Sequence, residues 1–191
     1  MPTLRACLLP LMLLLLTGAV LPPPVQAADD YVMLTGPDRP EPAAGARPSA
    51  AAVDEVVVFK SHRMMLLMKD GHEVRRYRIE LSDRPVGHKQ YEGDRRTPEG
   101  TYYLDYVKEN STYYRAFHIS YPNAQDVARA RRLGHRPGGM IMVHGQPRAL
   151  GSYHAHVQRR DWTNGCIALL NYEMDEFISL VEPGTPITIN P

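Results

Sequence analysis

Cysteine is almost absent from this chain: its 191 residues hold two, Cys7 and Cys166. That scarcity excludes a disulfide framework and any zinc site built on several thiolates. Neither sign of charge prevails, with 22 Lys and Arg against 21 Asp and Glu and a formal net charge of +1. No stretch of Lys and Arg forms a basic stripe, and no aromatic interleaving offers bases a stacking surface, so the sequence gives no reason to expect nucleic acid as a partner. There is no internal repeat. Aromatic residues make up 8%, with a single tryptophan, Trp162.

Long apolar runs are also missing, apart from one at the start. Leu8 to Val20 is almost wholly apolar, Arg5 precedes it, and Val25-Gln26-Ala27 is a small-x-small step. This layout predicts a secretory signal peptide over residues 1–27, too short and too poorly flanked for a spanning helix. Membrane contact is expected only through that segment, and the mature chain is expected to be exported to the periplasm or cell envelope. Residues 28–52, with Pro37, Pro40, Pro42 and Pro48 among Gly, Ala and Ser, predict a flexible linker. The domain is then expected over 53–191, which is short enough for one core and is read as a monomer. Cys7 leaves with the signal peptide, so Cys166 is the one mature thiol. It is a buried small hydrophobe, an intermolecular partner or a reactive group.

Period-two and β-branched runs predict strands at Val56–Phe59, Met64–Lys69, Glu73–Leu81, Thr101–Val107, Tyr113–Ser120, Met140–Val143 and Pro186–Ile189. Asp70-Gly71 reads as a tight hairpin turn. Asp126–Leu133 has helical composition and stops at Gly134. A second helix is expected after Asn171 as its cap, since Met174, Phe177, Ile178 and Val181 share one face and Pro183-Gly184 follows. Asp83 to Gly100 is polar and too long for a turn, the mark of a functional loop. The fold class is thus mainly β with two short helices (α+β).

Cys166 follows the polar turn Thr163-Asn164-Gly165 and precedes the apolar Ile167-Ala168-Leu169-Leu170. The thiol therefore sits at the mouth of a buried element. Gly165 leaves the approach to sulfur open and lets nearby backbone N–H groups converge on an oxyanion. A thiolate is the competent nucleophile, and a nearby imidazole is the usual proton acceptor. His144, at the end of a Met/Val strand and before Gly145, is the candidate. A zinc site using His144, His154, His156 and Cys166 is the competing reading, weakened by having one thiolate and no carboxylate at ligand spacing. His118 reads as a core or wall histidine.

Three segments resemble the catalytic domains of L,D-transpeptidases, the YkuD fold. Arg96-Thr97-Pro98-Glu99-Gly100-Thr101-Tyr102 is similar to the Thr-Pro-x-Gly-x-Tyr signature. Met142-Val143-His144-Gly145 is similar to the apolar-His-Gly strand end, and Thr163-Asn164-Gly165-Cys166-Ile167 to the nucleophile segment. The resemblance implies a β-sandwich of mixed sheets over about Val53 to Asn190. It implies Cys166 as nucleophile, His144 as base, the Gly145 carbonyl orienting the imidazole, and an oxyanion site at Thr163, Asn164 and Gly165. It further implies peptidoglycan stem peptides as donor and acceptor, a thioester intermediate, and no metal or organic cofactor. Two positions depart from the pattern: Asn164 stands where the family has His, and Ala168 where it has a donor-binding Arg. Arg148, Arg159 and Arg160, on the long 146–162 loop, are expected to supply that charge, and Trp162 to wall the pocket. Water in place of an amine acceptor would make the protein an L,D-carboxypeptidase or hydrolase, and a non-catalytic peptidoglycan-binding domain would need neither Cys166 nor His144.

Overall fold

The computed structural model describes residues 53–148 and 160–191. The expected signal peptide and linker, Arg159, His154 and His156 lie outside the described residues. Among the described residues, eight strands and two helices follow one another: β1 (Glu55–Phe59), β2 (Met64–Lys69), β3 (His72–Arg78), β4 (Gly100–Ser111), β5 (Tyr114–Ile119), α1 (Ala124–Arg132), β6 (Met142–His144), β7 (Ile167–Ala168), α2 (Asn171–Leu180) and β8 (Pro186–Asn190). The strands hydrogen-bond in the order β3-β2-β1-β8-β4-β5-β6-β7. β1/β8 and β6/β7 are parallel and the other neighbours antiparallel. The mixed, mainly β architecture expected from the sequence is therefore present.

Alternating side chains build the core. Val56 and Val58, Met65 and Leu67, and Ile187 and Ile189 are buried while their neighbours are not, as the period of two requires. β4 runs longer than the expected Thr101–Val107. Its first residues pair with β8 and its later ones with β5, and register shifts after Leu104 and after Lys108 insert extra residues. Such bulges bend and twist a strand, and the buried-exposed alternation of β4 breaks after Leu104. At the far ends, Glu80, two residues past β3, exchanges both backbone hydrogen bonds with Ala168 of β7, at 3.0 and 2.8 Å. The bridge ties the chain beyond one edge strand to the other edge strand and shields β7 from open pairing.

Helix boundaries differ from expectation at the caps. α1 starts two residues before Asp126, because Asn123 accepts from the backbone of Gln125 and Asp126 while the Asp126 carboxylate accepts from Asn123 N–H. Asp126 is thus the reciprocal residue of a capping box. α2 is capped at Leu170, not Asn171. The Glu173 carboxylate accepts from Leu170 N–H at 3.0 Å, which frees the Asn171 side chain to hold the chain just after β6. Phe177 of α2 meets Phe117 of β5 edge to face, with centroids 6.1 Å apart, and both rings are fully buried.

The 83–100 stretch forms no named strand until Gly100, yet it is firmly held. Lys60, 2% exposed, donates to Gly87 O (2.7 Å), Thr97 O (3.2 Å) and Glu99 Oε1 (2.8 Å). All three ammonium hydrogens are used, which is how a buried lysine tolerates its desolvation. Burial, opposed by Glu99, lowers its pKa from the usual lysine value. Lys60→Met should destabilise the protein by about 3–5 kcal/mol through the buried acceptors left unpaired. Adding Glu99→Leu should return part of that loss, read from urea unfolding midpoints at constant m.

Candidate active site

β6 and β7 bring the two chemical residues together. Parallel pairing sets Val143 opposite Ile167 and His144 opposite Ala168, so Cys166 stands one step before β7, level with Met142. Partners in register point the same way and side chains alternate along a strand. Met142, His144, Cys166 and Ala168 therefore share one face. Val143 and Ile167 point into the core and are completely buried.

His144 is 3% exposed. Its Nδ1 lies 2.6 Å from the Gly145 carbonyl. A carbonyl only accepts, so Nδ1 carries the hydrogen and Nε2 keeps its lone pair. That carbonyl is itself fixed from both sides: Gly145 N–H donates to Arg115 O at 3.0 Å, and Gln146 N–H to Asn171 Oδ1 at 2.8 Å. A Cβ on residue 145 would fall 2.6 Å from Asn171 Oδ1 and 3.0 Å from Tyr114 Cβ, so this close packing requires glycine. Burial pushes the imidazole pKa down to about 4, against a smaller opposing effect of its backbone contacts. The ring is neutral near pH 7.

Aromatic rings enclose the imidazole. Tyr113 stacks on it at 4.6 Å and 27°, and Trp162 meets it edge-on at 5.5 Å. Trp162, the expected pocket wall, lies against the imidazole ring. Tyr113 was not singled out from sequence, where it reads as an ordinary strand aromatic. The turn leading to Cys166 is anchored by Trp162 and Thr163 N–H, which both donate to Leu81 O. Next to them Asp161 takes Leu81 N–H at 3.0 Å and a two-pronged contact from Arg63 Nε at 2.9 and 3.1 Å.

Within the turn, Thr163 Oγ1 donates to Cys166 O at 2.8 Å and accepts from Gly165 N–H at 3.2 Å. Gly165 has φ +123°, and a Cβ there would lie 2.8 Å from Arg96 O. The turn can therefore press against the 83–100 segment only because residue 165 has no side chain. The Cys166 thiol donates to Met140 O at 3.7 Å, and burial raises its pKa, opposed by a Met142 backbone contact and by the charge of Lys89. The resting pair is accordingly a neutral thiol and a neutral imidazole, with Met140 O as the thiol's partner.

Cys166 and Asn164 open onto a cleft of about 490 Å³ that Lys89, Glu92 and Arg95 also line. Arg148 lies elsewhere: its guanidinium donates to Ser111 O and Tyr114 O on the β4–β5 hairpin, at 3.0 and 3.1 Å. Arg160 is exposed, and Ala168 is buried in the sheet. His118 contacts Asp105 at 2.7 Å and stacks on Tyr106. Among the described residues no group of three or more His, Cys, Asp or Glu side chains is arranged to hold a metal, and no helix is long and apolar enough to cross a membrane.

Fold and site together define a mixed-sheet domain that presents a cysteine and a carbonyl-oriented histidine from adjacent parallel strands. Residues 54–189 match the YkuD family, the L,D-transpeptidase catalytic domain, and the chain belongs to that family. It is 29% identical over 149 residues to YafK of Escherichia coli (strain K12), whose name places it among the L,D-transpeptidases; the match covers 71% of this chain and 53% of YafK. Among solved structures it is similar to the helical cell shape determining protein Pgp2 of Campylobacter jejuni, at 28% identity and a TM-score of 0.54, over 70% of this chain and 46% of that one. The K307A mutant of Pgp2 gives 27% and 0.55. The chain spans about half the length of these relatives.

Two outcomes follow. A histidine held neutral by burial binds its proton more readily once unfolded, so its contribution to stability is full above the unfolded value near 6.5 and is lost as pH falls through about 4. Stability should therefore drop by up to ~3 kcal/mol between pH 7 and 4 on account of this residue. His144→Gln should flatten that part of the profile in urea titrations at a series of pH values. Gly165→Ala should cost ~2 kcal/mol or more through strain and the Arg96 clash, visible as a lowered Tm.

Proposed function

We propose that the protein is a peptidoglycan L,D-transpeptidase that forms a thioester between Cys166 and a donor stem peptide and passes the acyl group to an amine. The observation that carries this reading is the shared face of Cys166 and His144, with the imidazole tautomer set by the Gly145 carbonyl. In the proposed step the thiol exchanges Met140 O for His144 Nε2, which takes its proton as sulfur attacks the stem carbonyl. Backbone N–H groups of the Asn164–Cys166 turn steady the oxyanion, with Cys166 N–H the leading donor because Gly165 N–H is engaged by Thr163. Collapse breaks the C–N bond, and His144 returns its proton to the departing amine. An acceptor amine then attacks the thioester, loses its proton to His144, and the thiol is restored. Side chains and backbone supply every group in this sequence, so it calls for neither metal nor organic cofactor.

The family and the likeness to a cell-shape protein support stem peptides as the substrate class. The Leu8–Val20 run supports action outside the cytoplasmic membrane. Incubating the mature protein with purified tetrapeptide muropeptides, with Cys166→Ala as control, should yield Cys166-dependent dimers detectable by mass spectrometry. Tripeptides alone would move the assignment to a carboxypeptidase with water as acceptor. Unchanged substrate would falsify both. His144→Ala should lower the rate at least about a hundredfold.

A further inference from the structure

We propose that Lys89, with Arg95 beside it, forms the subsite that binds the terminal carboxylate of the donor stem peptide across the cleft from Cys166. The inference rests on the proposed acyl-transfer reading and assigns the charge which that reading still lacks. Ala168 brings no charge to the second position after Cys166, and the Arg148 guanidinium is committed to hairpin carbonyls. Lys89 and Arg95, in contrast, line the same cleft as Cys166.

Packing fixes their place. Arg96 O fills the space beside Gly165, and the Glu92 backbone and side chain fill the space beside Gly138 in the cleft lining, 3.1–3.3 Å from where a Cβ would be. Glu92 N–H also donates to Arg136 O at 2.8 Å. The 89–96 segment is thereby clamped along the nucleophile wall. Lys89 is 4% exposed and donates to Asp94 Oδ1 at 2.8 Å and Tyr91 O at 3.1 Å. An ammonium has three N–H groups, so among the described residues one is left for the cleft. Asp94 is the ion-pair partner of that ammonium, and its oxygens also accept from the backbone of Gln90, Tyr91 and Arg96. These bonds hold Asp94 as a rigid seat for the lysine. The Lys89 charge reaches the Cys166 sulfur, opposing the effect of burial on its thiol. Arg95 has φ +63°, a conformation non-glycine residues seldom hold, and its ion pair with Asp83 at 3.0 Å lies at the surface. A buried ammonium beside a half-exposed guanidinium suits a carboxylate, with Arg offering the fork and Lys the point charge.

The test uses the mature Cys166→Ala protein and two peptides: a tetrapeptide stem ending in a free carboxylate, and the same stem ending in a carboxamide. Calorimetry should show the acid bound about tenfold or more tighter than the amide. Adding Lys89→Met or Arg95→Gln should each shrink that ratio several-fold, and Lys89→Arg should keep most of it. Should Lys89→Met fail to fold, by circular dichroism, Arg95→Gln decides alone. Equal binding of acid and amide by Cys166→Ala overturns the proposal, as does a preference untouched in a folded variant. A Lys89-dependent preference in a protein that turns over no muropeptide supports the subsite and sinks the acyl-transfer reading. Turnover by the wild-type protein that ignores the amide does the reverse.

Discussion

The strand β7, only two residues long, is hydrogen-bonded on both of its flanks. Glu80 exchanges two backbone bonds with it from one flank, and β6 pairs with it from the other through the His144 register. A strand this short has little pairing energy of its own, so its position depends on that double attachment. Everything that matters chemically hangs from it. Cys166 is the residue before β7, and Leu169 N–H, just after it, donates to His144 O at 2.9 Å. Loosening the Glu80 bridge would move the thiol relative to the imidazole without touching either.

Burial sets the electrostatic character of the site. It favours the uncharged forms of both the imidazole and the thiol, so no ion pair has to be maintained at rest. Charge gathers instead on the facing 83–100 segment, where Lys60 and Lys89 are each held by an acidic partner and backbone carbonyls. A long loop that could have been mobile is made part of the wall by two buried lysines.

Much of this was readable beforehand. Alternating apolar residues marked the strands, and Asp70-Gly71 forms its turn with φ of 50° and 76°. Cys166 stood out after its polar, glycine-containing turn, and His144-Gly145 at its strand end. What stayed hidden depends on three-dimensional neighbours. Asn171 has the composition of a cap, but a backbone N–H twenty-five residues earlier in the chain claims its side chain. Arg148 was one of several cations on a loop, and only the fold shows it turned to the hairpin. Lys89 sits in a polar stretch that no periodicity distinguishes. Its burial follows from contacts with Asp94 and Tyr91, which composition does not reveal.

The ring contact between Trp162 and His144 has a practical side. Trp162 is the only tryptophan in the chain, so the indole emission of the whole protein comes from one ring 5.5 Å from the imidazole. An imidazolium quenches a neighbouring indole more strongly than a neutral imidazole does. The protein therefore carries its own optical gauge of the charge on His144, readable without labels, and a molecule settling over Cys166 would register in the same signal.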